Sequence, residues 1–362
     1  MDVHIVPGVK AKDVAEAHRQ DLLHQDHHQC KCMTYWIDEA RESIFCLIEA
    51  PDKESVITMH NKAHGLIPNK IIEVSSNLVE SFLGRIYDPS NAVTTDDGLK
   101  IFSDPSFRFL LVTKINDPVL LQHQSGKEST QALLQQYTGT VRSNIAKHGG
   151  KEAEHHGAGF IVSFTAASKA LACARDIQQE MKDKRFEALG LRLAINAGEP
   201  VEKSSKLFGD TIRLAQQLCS VAGDHQLAIA SAAKELLPQD QFTGKGNETL
   251  TLSFPDEELL QGLFSQLEEH WQEPGFDMED YCQSMAMSKS QLYRKTIALT
   301  GLSPNVLLKD FRLEKAKELL KKKRYNISQI TFETGFSSPS YFTKCFKKKY
   351  GLLPMAYLDL LH

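Results

Sequence analysis

The sequence predicts an α+β chain of three domains, and three observations carry that prediction. Its 362 residues exceed what a single ordinary core serves. The first 75 or so residues alternate short strand-like and helical runs in the order β-α-β-β-α-β, and from about residue 257 every periodic pattern is helical. Between these stretches, over about 106–254, strand-like and helical runs alternate as they do in an α/β domain.

The elements follow in order. DVHIV reads as a strand and AKDVAEAHRQDLLHQD as a helix; CKCMTYWI and SIFCLIEA are strands on either side of the polar turn DEARE. KESVITMHNKAH is a helix stopped by Gly65, and NKIIEVS is a closing strand. This order is the split-βαβ, ferredoxin-like arrangement, here assigned to residues 1–80. The turn-rich YDPSNAVTTDDG that follows reads as a linker. Residues 106–254 hold strands FRFLLVTKI, GFIVSF, LRLAIN and LAIA, with helices over 128–148, 166–184 and 210–222.

Residues 257–362 are predicted to be all-α and to contain one motif twice. In MSKSQLYRK, Ser288 is an N-cap and Gln291, three residues on, completes a capping box. Leu292 and Ile297 supply a packing face, while Ser290, Gln291, Arg294 and Lys295 face outward; FDMEDYCQSMAM upstream is the partner helix. The second copy is NISQITFETGFSSPSYFTKCFKKKYG. Ile327, Ile330 and Phe332 lie on its short helix, Gly335 makes the turn, Ser338 caps the next helix and Pro339 takes its first position. Phe342, Cys345 and Phe346 form the buried stripe of that helix, and SPNVLLKDFRLEKAKELLKK is an amphipathic helix joining the copies.

Charge sets the C-terminal part apart. Residues 288–350 carry 15 Lys and Arg against 4 Asp and Glu, a surplus of 11; the chain as a whole carries −4, so the remainder carries −15. A basic block on an acidic chain is the electrostatic footprint of a phosphate-binding module. No apolar run reaches the roughly twenty residues of a membrane span, and MDVHIVPGVK lacks the pattern of a secretory signal. Seven scattered cysteines fit a reducing compartment better than a disulfide framework. The expectation is a cytoplasmic protein without a membrane partner.

The first 65 residues hold an unusual density of His and Cys. His60 and His64 are four apart on one helix and share a face. Cys30 and Cys32 are two apart on a strand and share a face as well. Mixed imidazole and thiolate donors suit nickel, zinc, cobalt or copper; the plain alternative is that they are packing and surface residues.

Three resemblances add to this reading. SKSQLYRK…TGLSP, RLEKAKELL and GFSSPSYFTKCFKKKYGLLP resemble the AraC-family double helix-turn-helix domain. The resemblance implies that one helix of each unit enters a major groove of double-stranded DNA. It makes Ser290, Gln291 and Arg294 the base readers of the first unit, and Ser340, Thr343 and Lys344 those of the second; Lys347 and Lys348 hold phosphates. FLLVTKI, GGKEAEHHGAGFIVSF and LRLAINAGEPVEKSSKLFGDTIRLAQQLCSVAG resemble the class III nucleotidyl cyclase domain. That family holds two metal ions on two aspartates, where this chain has Lys114 and Ala158. It also uses an asparagine and an arginine where Arg213 and Gln217 stand here. A lysine and an alanine cannot ligate those ions, so the middle domain is expected to be a pseudo-cyclase, kept for pairing or for a ligand. YWIDEARESIFCLIEAPDKESVITMHNKAHGLIPNKIIEV resembles a small ferredoxin-like family whose characterised type binds nickel and forms dimers. Cys46, His60 and His64 fall within the matching motifs; Cys30 and Cys32 lie outside them.

Together these imply a non-enzymatic, homodimeric, sequence-specific transcription regulator responsive to Ni(II) or another transition metal through Cys46, His60, His64, Cys30 and Cys32. Its expected partners are double-stranded DNA, a second copy of the chain and RNA polymerase. The alternatives are a regulator sensing a nucleotide in the degenerate cyclase pocket, and an active nucleotidyl cyclase.

Overall fold

Alternation of apolar residues builds the first layer. The structure, a computed structural model, describes residues 1–157, 159–238 and 248–361. β1 (Asp2–Ile5), α1 (Ala11–His24), β2 (Lys31–Asp38), β3 (Ser43–Glu49), α2 (Lys53–Ala63) and β4 (Lys70–Ile71) form a ferredoxin-like unit with sheet order β2-β3-β1-β4. Strand pleating sends alternate side chains to opposite faces. Val9, Val14, Tyr35, Ile37, Ile44 and Cys46 belong to the apolar cluster on one face, while Met1, Val3, Trp36, Phe45 and Leu47 join the cluster on the other. Both faces are covered, which is why β2 and β3 are buried along most of their length.

The segment read as a linker, 87–98, is largely exposed and carries only one strand of a short hairpin, but packed residues flank it on both sides. α3 (Ser76–Leu83), a helix that the sequence pattern did not predict, buries Val79, Phe82 and Leu83 in the cluster that also holds Val3, Trp36 and Phe45. β5 (Val93–Thr94) pairs with β6 (Lys100–Ile101) in a short hairpin. Beyond the hairpin, Phe102 stacks on Tyr35 with ring centroids 4.1 Å apart. Turn-rich composition marked the chain reversals correctly but said nothing about the apolar residues at either end of them.

The middle unit comprises β7 (Arg108–Lys114), α4 (Pro118–Ser125), α5 (Lys127–Lys147), β8 (Lys151–His155), β9 (Phe160–Phe164), α6 (Ala167–Glu180), β10 (Arg192–Gly198), α7 (Gly209–Val221), β11 (Leu227–Ile229), α8 (Ser231–Lys234) and β12 (Thr249–Thr251). Its sheet runs β12-β11-β10-β7-β9-β8; β10, β11 and β12 are parallel and the other neighbours antiparallel. Residues of α5 and α6 share one apolar cluster with this sheet, and residues of α3 and α7 share another.

The C-terminal unit is helical: α9 (Phe254–His270), α10 (Met278–Ser284), α11 (Lys289–Thr300), α12 (Pro304–Lys322), α13 (Ile327–Glu333), α14 (Pro339–Tyr350) and α15 (Pro354–Asp359). Leu259, Leu260 and Leu263 of α9 extend the cluster that holds Leu214 and Leu218 of α7, and Tyr281, Leu292 and Leu307 continue it. α13, α14 and α15 close a separate core around Phe342, Phe346 and Tyr357, against which Val119 and Leu120 of α4 pack. No described helix is long and apolar enough to cross a membrane.

Candidate metal centre and nucleic-acid interface

Strand register assembles the N-terminal centre. β1 pairs with β3 so that Asp2 lies opposite Cys46, which puts Asp2, His4 and Cys46 on one face of the sheet. Helices α1 and α2 cover that face and bring Asp21, His60 and His64 to it. His60 Nε2 lies 2.9 Å from Asp2 Oδ2, and His60 Nδ1 lies 3.0 Å from both Asp21 Oδ1 and His64 Nε2. His64 Nε2 is 3.1 Å from Asp21 Oδ1, and His64 Nδ1 accepts the Leu66 backbone N–H at 3.1 Å. That acceptor role leaves the His64 proton on Nε2, facing Asp21.

Two three-residue donor groups result, Asp2–His4–Cys46 and Asp21–His60–His64, with His60 bonded to Asp2 across them. Burial alone would lower the His60 pKa, but hydrogen bonds from its two nitrogens to Asp2 and Asp21 push it up to about 9. Burial would raise the Asp2 carboxyl; its bonds to His4 and His60 hold it well below the usual range. Burial pushes the Cys46 thiol up. A cavity of about 20 Å³ opens among His4, Asp21, Cys46, His60 and His64, enough for one ion or water. Asp2 Oδ1, buried on the same face of the sheet, lies 3.5 Å from His4 Nε2, a long contact. Buried carboxylates, imidazoles and a thiolate precursor grouped around a small cavity fit a borderline transition-metal ion such as Ni(II).

The structure brings three of the five expected ligands, Cys46, His60 and His64, to this centre and leaves two apart, a correction to the expected set. Cys30 precedes β2, and its Sγ faces the His28 carbonyl; Cys32 Sγ lies 3.6 Å from Met59 Sδ in a small apolar cluster. Both thiols are buried against aliphatic neighbours, and burial pushes both up in pKa. Asp2 and Asp21 were missed because carboxylates near a chain start and on a helix read as solvated. The pairing of β1 with β3, implied by the ferredoxin-like order, was the signal that placed Asp2 near Cys46.

The two helix-turn-helix units rest on caps. Ser288 Oγ accepts from Gln291 N at 3.3 Å while Gln291 Oε1 accepts from Ser288 N at 3.1 Å; Asn326 and Gln329 repeat the box on α13. Gln291 is thereby engaged with its own helix start, which weakens its expected role as a base reader. On α11 the buried residues are Leu292 and Thr296, whereas Ile297 is 38% exposed. This corrects the packing face: i and i+4 are neighbours on a helix, and i+5 is not. In the second unit, Gly335 sits at φ +72°, where an added Cβ would lie 2.5 Å from the Trp271 carbonyl oxygen, so glycine is required in that turn. Ser338 caps α14, and Phe342, Cys345 and Phe346 are buried as the sequence predicts.

Caps align the units: Ser288 matches Ser338, so Ser290, Tyr293, Arg294 and Ile297 match Ser340, Thr343, Lys344 and Lys347. Each set follows i, i+3, i+4, i+7 and forms one stripe. Ser290, Arg294, Ser340, Lys344 and Lys347 are exposed, and Thr343 is half-buried. Other basic residues are spent inside the molecule. Lys317 and Lys321 bind Asp117 Oδ2 at 3.1 and 3.2 Å, Tyr357 donates to the same oxygen at 2.8 Å, and Lys349 lies 3.1 Å from Asp310.

At the cyclase-like positions, Lys114 ends β7 exposed and Ala158 lies outside the described residues. Arg213 pairs with Asp210, and Gln217 is buried on α7. Asp117, the acidic residue nearest Lys114 in sequence, is taken up by Lys317, Lys321 and Tyr357.

Comparisons with known proteins agree with the two ends of the chain. Residues 281–359 match the family described as "Helix-turn-helix domain", and residues 1–74 match "Nickel responsive protein SCO4226-like". A histidine kinase P4 of Formosa agariphila is 35% identical over 127 residues, 35% of this chain and 9% of that protein. The HTH-type transcriptional regulator MtrA of Neisseria gonorrhoeae is 30% identical over 99 residues, 27% of this chain and 31% of that protein. The guanylate cyclase domain of RhGC from Catenaria anguillulae, solved with GTP, aligns at 16% identity and a TM-score of 0.33, covering 37% of this chain and 83% of that one. This chain thus spans a third or less of the length of these two curated relatives. The chain is similar to the nickel-responsive SCO4226-like family over residues 1–74 and to a helix-turn-helix domain over residues 281–359.

Proposed function

We propose that the chain is a sequence-specific DNA-binding transcription regulator whose DNA affinity responds to a transition-metal ion, Ni(II) first, held by the N-terminal domain. The observation that carries this reading is the pairing of two capped helices bearing open basic stripes with a buried carboxylate–imidazole centre in the same chain. Asp21, His60 and His64 would hold the ion, with Asp2, His4 and Cys46 beside them. Such an ion supplies a positive charge in place of the His60 proton. His60 must release the proton on Nδ1, and His64 must free Nε2 of the proton that faces Asp21, for those nitrogens to serve as donors, so binding is coupled to proton movement out of the centre. DNA affinity then changes only in so far as the ion favours one arrangement of the DNA-binding helices over another. A second copy of the chain belongs to the same reading: Ile5, Leu22, Leu23, Leu66 and Ile67 leave apolar surface on the N-terminal unit.

Calorimetric titration of the metal-free full chain with Ni(II), Zn(II) and Co(II) tests the sensor. Stoichiometric binding lost in His60→Ala/His64→Ala supports it; no heat with any of the three ions removes it. Selection from a randomised duplex pool, with and without Ni(II), tests the regulator, and sedimentation tests the dimer. A pool in which nothing is enriched under either condition would sink the DNA-binding reading.

A further inference from the structure

We infer that the first helix-turn-helix unit reads thymine methyl groups through Tyr293 and Ile297, next to a guanine read by Arg294. The inference rests on the DNA-binding reading above and names the bases its first unit selects.

Alignment on the caps gives α11 and α14 the same exposed stripe, yet the chemistry of the two stripes differs. α14 carries Ser340, Thr343, Lys344 and Lys347, all able to hydrogen-bond. α11 carries Ser290, Tyr293, Arg294 and Ile297, so the counterparts of Thr343 and Lys347 are a ring and a branched aliphatic side chain. Tyr293 is 50% exposed and Ile297 is 38% exposed, and neither joins an apolar cluster of the described residues. The residues that anchor α11 to its own domain lie on another face, where Leu292 and Thr296 are fully buried. Tyr293 and Ile297 therefore stand outside the buried core, and four residues apart they form one continuous patch on the helix surface.

What covers that patch follows from its surroundings. It lies on the same stripe as the Arg294 guanidinium, which makes no ion pair among the described residues, and Lys295 follows directly. A cationic rim favours a polyanion. In a major groove the one apolar group on a base edge is the C5-methyl of thymine, whereas a guanidinium donates to guanine O6 and N7. Only a duplex offers the methyl and the guanine acceptors side by side within a field of phosphates. The second unit, with no apolar residue on its stripe, contributes hydrogen bonds and phosphate contacts instead.

The test takes the duplex that the full-length chain selects from a randomised pool and replaces each thymine with deoxyuridine, one at a time. That change removes the methyl and leaves every hydrogen-bonding group in place. At one or two positions the loss should weaken the wild-type chain by about fourfold per methyl, the worth of one buried carbon. Ile297→Ala and Tyr293→Ala should bind the thymine duplex more weakly and be indifferent to the uracil change. Ile297→Val should keep most of the methyl sensitivity. Uracil substitution without effect on the wild type, or with an equal effect on Ile297→Ala and Tyr293→Ala, would overturn the inference while leaving DNA binding intact. A pool that yields no enriched sequence would instead remove the reading on which it rests.

Discussion

His60 is the residue on which the N-terminal centre turns, because each of its nitrogens faces a buried carboxylate. Truncating it leaves Asp2 and Asp21 buried without their shared cation, and removing one partner of a buried ionic group costs about 3–5 kcal/mol. His60→Ala should therefore lower the urea-unfolding free energy of the metal-free chain by about that amount. The pH dependence has a definite sign. A histidine whose folded pKa stands at about 9, above its ordinary value near 6.5, contributes fully below the latter and loses that contribution as pH rises through the former. The metal-free protein should thus lose unfolding free energy between about pH 7 and 10, and His60→Ala should show a flatter profile over that range. Cys46, His60 and His64 were legible in sequence because imidazole and thiol side chains advertise themselves. Asp2 and Asp21 were not, since a carboxylate acquires meaning only from what strand and helix packing set beside it.

Elements with strong local signals matched expectation, and elements defined by tertiary contact did not. α11 and α14 could be placed from Ser288, Ser338 and Pro339, because caps and N1 proline act through backbone groups a few residues away. α3 carries its own serine cap yet escaped notice, lying where turn residues dominate the neighbourhood; its Val79 and Phe82 matter only to a core shared by two units. The stripe on α11 was half legible: Ser290 and Arg294 were expected, Ile297 was read as a packing residue, and Tyr293 was given no role. Phosphate contacts and base contacts on these helices can be separated by salt. Lys347→Ala should reduce the slope of log affinity against log salt by about 1 with little change in sequence preference. Arg294→Ala should cost about 1–3 kcal/mol at the preferred site and relax selectivity at one base pair. Fluorescence anisotropy across a salt series distinguishes the two outcomes.

At the scale of the whole molecule, one apolar cluster runs from β1 and β3 through α3 and α7 to α9, α10 and α11, so the centre and the first DNA-binding unit share a core. The second unit is held differently, by Asp117. Burial would raise the pKa of this carboxyl, but the ammonium groups of Lys317 and Lys321 outweigh burial and hold it below the usual range. Its contribution is present above about pH 3.9, the ordinary aspartate value, and is lost as pH falls through the depressed one. Asp117→Asn should leave the Lys317 ammonium beside a neutral amide and weaken the attachment by about 1–3 kcal/mol. Faster hydrogen exchange in α12 and α15, with β7 and β10 unaffected, would register it. This joint also bears on how the chain was assembled and how it can be rebuilt. A transplanted helix-turn-helix domain lacking counterparts of Lys317, Lys321 and Tyr357 would strand the Asp117 charge in the acceptor's surface. A chimera joined at this boundary should therefore be more stable when the aspartate and its three partners are kept together, or all four replaced at once, than when they are separated, as thermal unfolding would show.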